Sequence, residues 1–277
     1  CIAYDNESNR MCVMRCPLDI DPPLDGAMPN ERDAHSHLAY LSKAAVGTVD
    51  YWKLESREKK SFDVARKGEL QSLLDLNAYR LLSLEESLEF RRKFPEHVLP
   101  SRWVDRWKPT DDGGVKAKSR IVILGFKDPH VLQLERSAPT PTHEAFTTTL
   151  QCFASTKRAA VSSDIKNAFG QSMKTSRQNK LAASLPPNMV EAGFDVDPRQ
   201  LLLCETEVYG LISGPSWLRQ SLVADLQHLG YQVNKYDKCI MTLPSKTNDI
   251  MNDGLVLIEV DDILEGGNER HQALMKK

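Results

Sequence analysis

The sequence predicts an α+β fold, and three observations carry that expectation. Helical and extended apolar periods are mixed along the chain without the strict alternation that builds a parallel sheet. Glycine-bearing turns join extended segments directly, TDDGG between WVDRWKP and VKAKSRIVILGF and TNDIMNDG between YDKCIMTL and GLVLIEV, so antiparallel pairing is expected. At 277 residues, 41% hydrophobic and 27% charged, the chain is long enough for one large or two ordinary domains with a sizeable core.

Residues 1–55 are rich in Pro, Asp and Asn (CPLDIDPPLDGAMPNERD) and hold no sustained period, which reads as an irregular arm or linker before a compact domain over 56–277. Over residues 56–79 the apolar positions Phe62, Ala65, Leu70, Leu73, Leu74 and Ala78 approximate a helical stripe. The basic hairpin around TDDGG follows, then a helix over 144–158, a strand AAVSSDIKNAF leaving the core, and a further strand LLLCETEVYGL. Residues 215–229 predict a helix with Leu218, Leu222, Leu226 and Leu229 on one face, a proline in the first turn and Gly230 as its stop. The hairpin of YDKCIMTL and GLVLIEV comes next, and the chain closes with the start of another helix.

Six irregularly spaced cysteines, none in a CxxC pair, do not read as a disulfide framework, and a reducing, intracellular setting is expected. No apolar run approaches a membrane span, so no membrane partner is expected. The formal charge of -2 is not that of a generally basic nucleic-acid binder. Between Arg91 and Arg136, however, eleven Lys/Arg stand against six Asp/Glu. Within that stretch Lys116, Lys118 and Arg120 alternate, and the strand period of two puts them on one face. Such a row suits a bound triphosphate through charge-assisted hydrogen bonds, or equally an edge strand blunted against aggregation.

Two adjacent aspartates interrupt the apolar run LVLIEVDDILEGG at Asp261 and Asp262. Vicinal carboxylates repel unless a cation lies between them. Asp164 ends its own approach, AAVSSD, in the same way. Neighbouring strands that carry these acids at one level would suit two Mg²⁺ ions, with Mn²⁺ as an alternative, held by carboxylates and substrate phosphates.

In order, KSRIVILGF, SAPT, DIKNAF, YGLISGPSW, YDKC and EVDDIL resemble the motifs KARLVAKGF, APV, DVKTAF, YGLKQAPRAW, the D-C strand and YVDDIL of the reverse transcriptase domain of Ty1/copia-type LTR retrotransposon polyproteins. The resemblance spans residues 70–277, with LLDLNAYRLLS and LPSRWVDRWK similar to the family's opening segments. It implies the palm and fingers of a right-hand polymerase that joins dNTPs to a DNA primer on an RNA template. By position it implies Asp164, Asp261 and Asp262 as catalytic metal-binding acids, with the carbonyl of Ile165 completing one site. Lys116, Lys118 and Arg120 match residues that clamp the triphosphate, Tyr209 and Gly210 a segment beside the incoming base, and Phe169 a steric gate against the ribose 2′-hydroxyl.

The same resemblance implies integrase and ribonuclease H regions elsewhere in one polyprotein, and residence in a cytoplasmic particle or the nucleus. The chain ends about fifteen residues after Asp262, so the thumb is expected to be absent. Three departures stand out: Glu259 where the family has tyrosine, Ile212-Ser213 for Lys-Gln, and Gly170-Gln171-Ser172 for Leu-Asn-Gly. They leave a second reading open, a decayed retroelement fragment or captured host domain that binds nucleic acid without turnover.

Overall fold

The computed structural model describes residues 48–110, 113–135, 137–190, 192–246 and 251–276, together with the backbone of 2–5 and 10–13. The chain divides into two compact units at Ala44/Ala45. In the first unit, within the stretch that reads as irregular, β1 (Ile2–Asp5) and β2 (Arg10–Val13) pair antiparallel. The second unit mixes helices with several sheets, as the α+β expectation requires.

It begins with a short extension in which Thr48 bridges to Arg106 and the Val49 amide donates to the Asp105 carbonyl at 2.9 Å. Helix α1 (Ser56–Asp75) opens with a capping box between Glu55 and Glu58. It stops short of the expected 79 because Asn77 takes a left-handed φ of 54°, and the Asn77 and Ala78 amides then satisfy the Leu74 and Leu73 carbonyls. Its buried face is Phe62, Arg66, Leu70 and Leu73, so an arginine replaces an apolar residue in the predicted stripe. Arg66 is tolerated there by a 2.6 Å ion pair with Asp105, itself buried, and by stacking on the Tyr51 ring at 3.9 Å.

A four-stranded sheet runs in the order β3 (Tyr79–Leu81), β9 (Leu201–Cys204), β8 (Ala182–Ser184), β4 (Val98–Leu99), with β4 and β8 parallel. Helix α2 (Leu84–Lys93) is capped by Ser83 and precedes it in the chain toward β4. The hairpin of β5 (Ser101–Pro109) and β6 (Val115–Ile123) forms in the expected place. Its inner face, with Ile121 and Ile123 fully buried, joins one core with Leu70 and Leu73 of α1 and Leu202 of β9. Each such fully buried aliphatic side chain contributes about 1.5–3 kcal/mol.

The second sheet is antiparallel throughout, in the order β10 (Gln232–Val233), β11 (Ile240–Leu243), β12 (Gly254–Glu259), β13 (Asp262–Gly267), β7 (Val161–Asp164). Both faces of its centre are covered. Helix α5 (Gly214–His228) sends Leu226 against Met241, Val256, Ile258 and Ile263. Helix α3 (His143–Ser155) sends Ala145 and Phe146 against Ile240, Leu257 and Leu264. That double cover is why GLVLIE reads as a continuous apolar run. The sheet's edge strand β7 is only four residues long, and the chain turns through Asn167 (φ 52°) into α4 (Ala168–Gln171), so the single strand expected over AAVSSDIKNAF is corrected to a strand, a turn and a helical turn. The expected strand LLLCETEVYGL likewise ends at Cys204. Helix α6 (Glu269–Met275) follows β13, capped by Asn268.

Candidate active site

Strands β12 and β13 meet in a two-residue turn made of Val260 and Asp261. Val260 carries a φ of +57°, uncommon for a β-branched residue and a sign of stored strain at the hairpin tip. The register sets Glu259 opposite Asp262 and Asp262 opposite Asp164, so directly paired positions carry three acids in one cross-strand row over β12, β13 and β7. Asp261, inside the turn, is tied to β7 by its carbonyl, which accepts the Ile165 amide at 3.3 Å. Partial burial, then the Asp261 and Asp164 charges, push the Asp262 carboxyl above its usual range. The electrostatic cost of gathering these acids is therefore present in the fold.

The basic hairpin faces the same region. Its alternation buries Ser119, Ile121 and Ile123 and leaves Lys116 exposed and Lys118 and Arg120 half-buried. On the partner strand Lys108 stands opposite Lys116 and Arg106 opposite Lys118, a cross-strand placement of cations that the alternation along one strand does not reveal. Like charges directly opposite one another destabilise a ladder unless an anion lies across them. Burial, then Arg120 and Lys108, lower the Lys118 ammonium, with Glu69 and Asp164 acting the other way. Lys118 is thus within the field of the acid row. Lys116 sits further out toward the hairpin turn, where Lys108 and not an acid faces it.

Arg120 lies over the Tyr209 ring, 5.0 Å from its centroid. Tyr209 follows the buried Val208 and is held against β6 because the Ile123 amide donates to the Tyr209 carbonyl at 2.9 Å. Gly210 permits that approach: its φ is +94°, and a Cβ there would stand 2.1 Å from the Ile123 carbonyl oxygen. Tyr209 also meets Phe169, with ring centroids 4.6 Å apart and planes tilted by 55°. Phe169 is brought there by the turn at Asn167, whose side-chain amide donates to Ser72 of α1 at 2.8 Å. Burial raises the Tyr209 phenol; Arg120 opposes this, and Glu69, Asp261 and Asp164 add to it. One electrostatic neighbourhood thus includes Arg120, Tyr209, Asp261 and Asp164.

A buried network behind this segment had no sequence signal, because its members are scattered. Arg177 donates to both oxygens of Glu207, at 2.7 and 2.9 Å, and to Asp128 at 2.8 Å. Ser213 and Thr175 also donate to Glu207, at 2.5 and 2.7 Å. Burial alone would raise the Glu207 carboxyl, and these hydrogen bonds overcome it and hold the group below its usual range. Asp128 follows the turn after β6 and Glu207 and Ser213 bracket Tyr209–Gly210, so the network fastens that turn to the Tyr209 segment.

Among the described residues, Asp164, Asp261 and Asp262 included, no three His, Cys, Asp or Glu side chains form a group that could hold a metal ion by themselves. No helix among them is long and apolar enough to cross a membrane. No protein-family model matches the chain, and no curated protein matches it.

Proposed function

We propose that this unit is the palm and fingers of an RNA-directed DNA polymerase of the Ty1/copia reverse transcriptase type. The observation that carries the reading is the antiparallel pairing of β7 with β13, which sets Asp164 opposite Asp262 while the Asp261 carbonyl accepts the amide of Ile165, the residue that follows β7. Carboxylates from separate segments, level with one another and facing a cationic strand, suit transfer of a nucleotide from a triphosphate to a hydroxyl.

Mg²⁺, or Mn²⁺ in its place, would be held by Asp164, Asp261 and Asp262 together with substrate oxygens, and the carbonyl of Ile165 is a further candidate oxygen. The donor set suits a divalent cation: burial first, and then repulsion from Asp261 and Asp164, raise the Asp262 carboxyl, and a cation removes the second of these. Mg²⁺ commonly takes one or two carboxylates and completes its shell with water and phosphate, so a closed protein cage is not required. When bound, such ions lower the pKa of the attacking hydroxyl and neutralise the leaving pyrophosphate. The chain's own residues do the rest. Lys118 and Arg120 bind and orient the triphosphate, with Lys116 in a peripheral role; Tyr209 and Gly210 shape the floor beside the base; Phe169 presents an apolar wall to the sugar.

One observation favours binding without turnover as a second reading. Glu259 stands opposite Asp262 and extends the acid row to a strand where the family's tyrosine is neutral. An added negative charge there repels a primer phosphate. Calorimetric titration of the chain with a dNTP tests the proposal: affinity is expected to rise with Mg²⁺ in the wild type and to lose that dependence in Asp164→Asn. Equal affinity with and without Mg²⁺ in the wild type would contradict it.

A further inference from the structure

Glu69 lies on α1, one helical turn beyond Arg66, where the helix packs along β6. Its Oε1 is sealed from solvent and has no hydrogen-bond donor. A carboxylate oxygen stripped of water and left unpaired is costly and calls for an explanation. Burial raises its carboxyl above the usual range, and the charges of Arg120 and then Lys118 oppose that rise without cancelling it. Among the described residues neither cation lies within 4 Å of a carboxylate, so Glu69 influences both without closing an ion pair with either. Lys118 is meanwhile repelled by Arg120 on its own strand and by Lys108 on β5.

We infer that Glu69 is a built-in counter-anion of the nucleotide site, which steadies Lys118 and Arg120 while no triphosphate is bound and opposes the triphosphate once it arrives. The inference rests on the nucleotide reading above. The cations need negative charge nearby in the empty state, because they repel each other across and along the hairpin. A carboxylate that closed a bidentate pair with Arg120 would consume the donors a phosphate requires. Held unpaired on the helix side, Glu69 supplies the field and leaves those donors available. The same charge then repels a bound polyphosphate, so it weakens retention of the triphosphate and of the pyrophosphate released from it.

The test is calorimetric titration with inorganic tripolyphosphate, without divalent metal, of the wild type, Glu69→Gln, Glu69→Ala and Glu69→Asp. Both neutral variants are expected to bind tripolyphosphate at least about fivefold more tightly, the lower end of ordinary coupling between two ligands. Glu69→Asp keeps the charge and is expected to stay within about twofold of wild type. Glutamine is nearly isosteric with glutamate, and alanine removes the unpaired oxygen altogether, so the two variants separate charge from fit. A purely structural role would leave affinity unchanged or reduce it in both, and that result overturns the inference. If the wild type shows no tripolyphosphate binding that Arg120→Ala removes, the nucleotide reading fails and the inference falls with it.

Discussion

Asp164 and Asp262 are direct partners across the β7–β13 ladder, two carboxylates on the same face of an antiparallel pair. Pairs at that position destabilise a sheet when both are charged. Because burial and the neighbouring acids raise the Asp262 carboxyl, the folded state binds its proton more tightly than the unfolded chain does. Stability from this group is therefore greatest below the unfolded value near pH 4 and is lost as pH rises through the folded value. Asp262→Asn is expected to melt higher than wild type at neutral pH without Mg²⁺, and the difference is expected to vanish below about pH 4. Melting curves across pH check this; a lower melting point for the variant at neutral pH would remove the repulsion from the account.

The Glu207 carboxyl has the opposite linkage. Its hydrogen bonds from Arg177, Ser213 and Thr175 hold it below its usual range despite burial, so its contribution is present at neutral pH and is lost as pH falls through the acid range. Glu207→Gln removes one partner of a buried ion pair and is expected to cost about 3 kcal/mol at neutral pH. Denaturant unfolding at neutral and acid pH is the measurement, and the deficit is expected to shrink on acidification.

Gly210 cannot accept a side chain where it stands. A Cβ would meet the Ile123 carbonyl at 2.1 Å and the Ile123 amide nitrogen at 2.8 Å, both backbone atoms that have no rotamer to change. Gly210→Ala is expected to destabilise the unit by at least about 2 kcal/mol, from the strained φ and the collision together. Wild-type stability in a denaturant titration of this variant would show that the β6–Tyr209 contact is loose.

Phe169 is packed on Tyr209 and against Gly214, where an added Cβ would stand 3.2 Å from two ring atoms. If the ring is the wall against a ribose hydroxyl, Phe169→Val is expected to improve use of ribonucleotides relative to deoxynucleotides by at least about tenfold, equivalent to roughly 1.4 kcal/mol. Gly214→Ala presses on the ring and is expected to shift the same ratio without touching the nucleotide. Competitive single-nucleotide incorporation measures it, and an unchanged ratio in both folded variants would remove Phe169 from the site.

Local chemistry made much of this legible in the sequence. The hairpins over 101–123 and 240–259 follow from alternation and glycine turns, and the helix over 214–228 from its leucine face, proline and glycine stop. The strand stops at Asp164 although DIKNAF keeps an apolar pattern, because Asn167 reverses the backbone and one left-handed residue leaves no period to detect. The buried face at Arg66 carries no local signal because its partner, Asp105, lies 39 positions away. Relationships of that kind, like the Arg177–Glu207 ion pair and the electrostatic influence of Arg120 on Glu69, depend on the tertiary arrangement and carry no local signature. The acids and the cationic strand were visible as residues; their common neighbourhood with Tyr209 was not.

RNA-templated extension of a DNA primer, followed in Mg²⁺ with wild type and Asp261→Asn side by side, tests the nucleotidyl-transfer reading most directly. Asp261 lies in the turn with its carbonyl tied to Ile165, so the change to asparagine leaves the backbone contact in place and removes one charge. Extended primer with the wild type and none with Asp261→Asn is the expected result. Folded wild-type protein that extends nothing, or equal extension by both proteins, would contradict it.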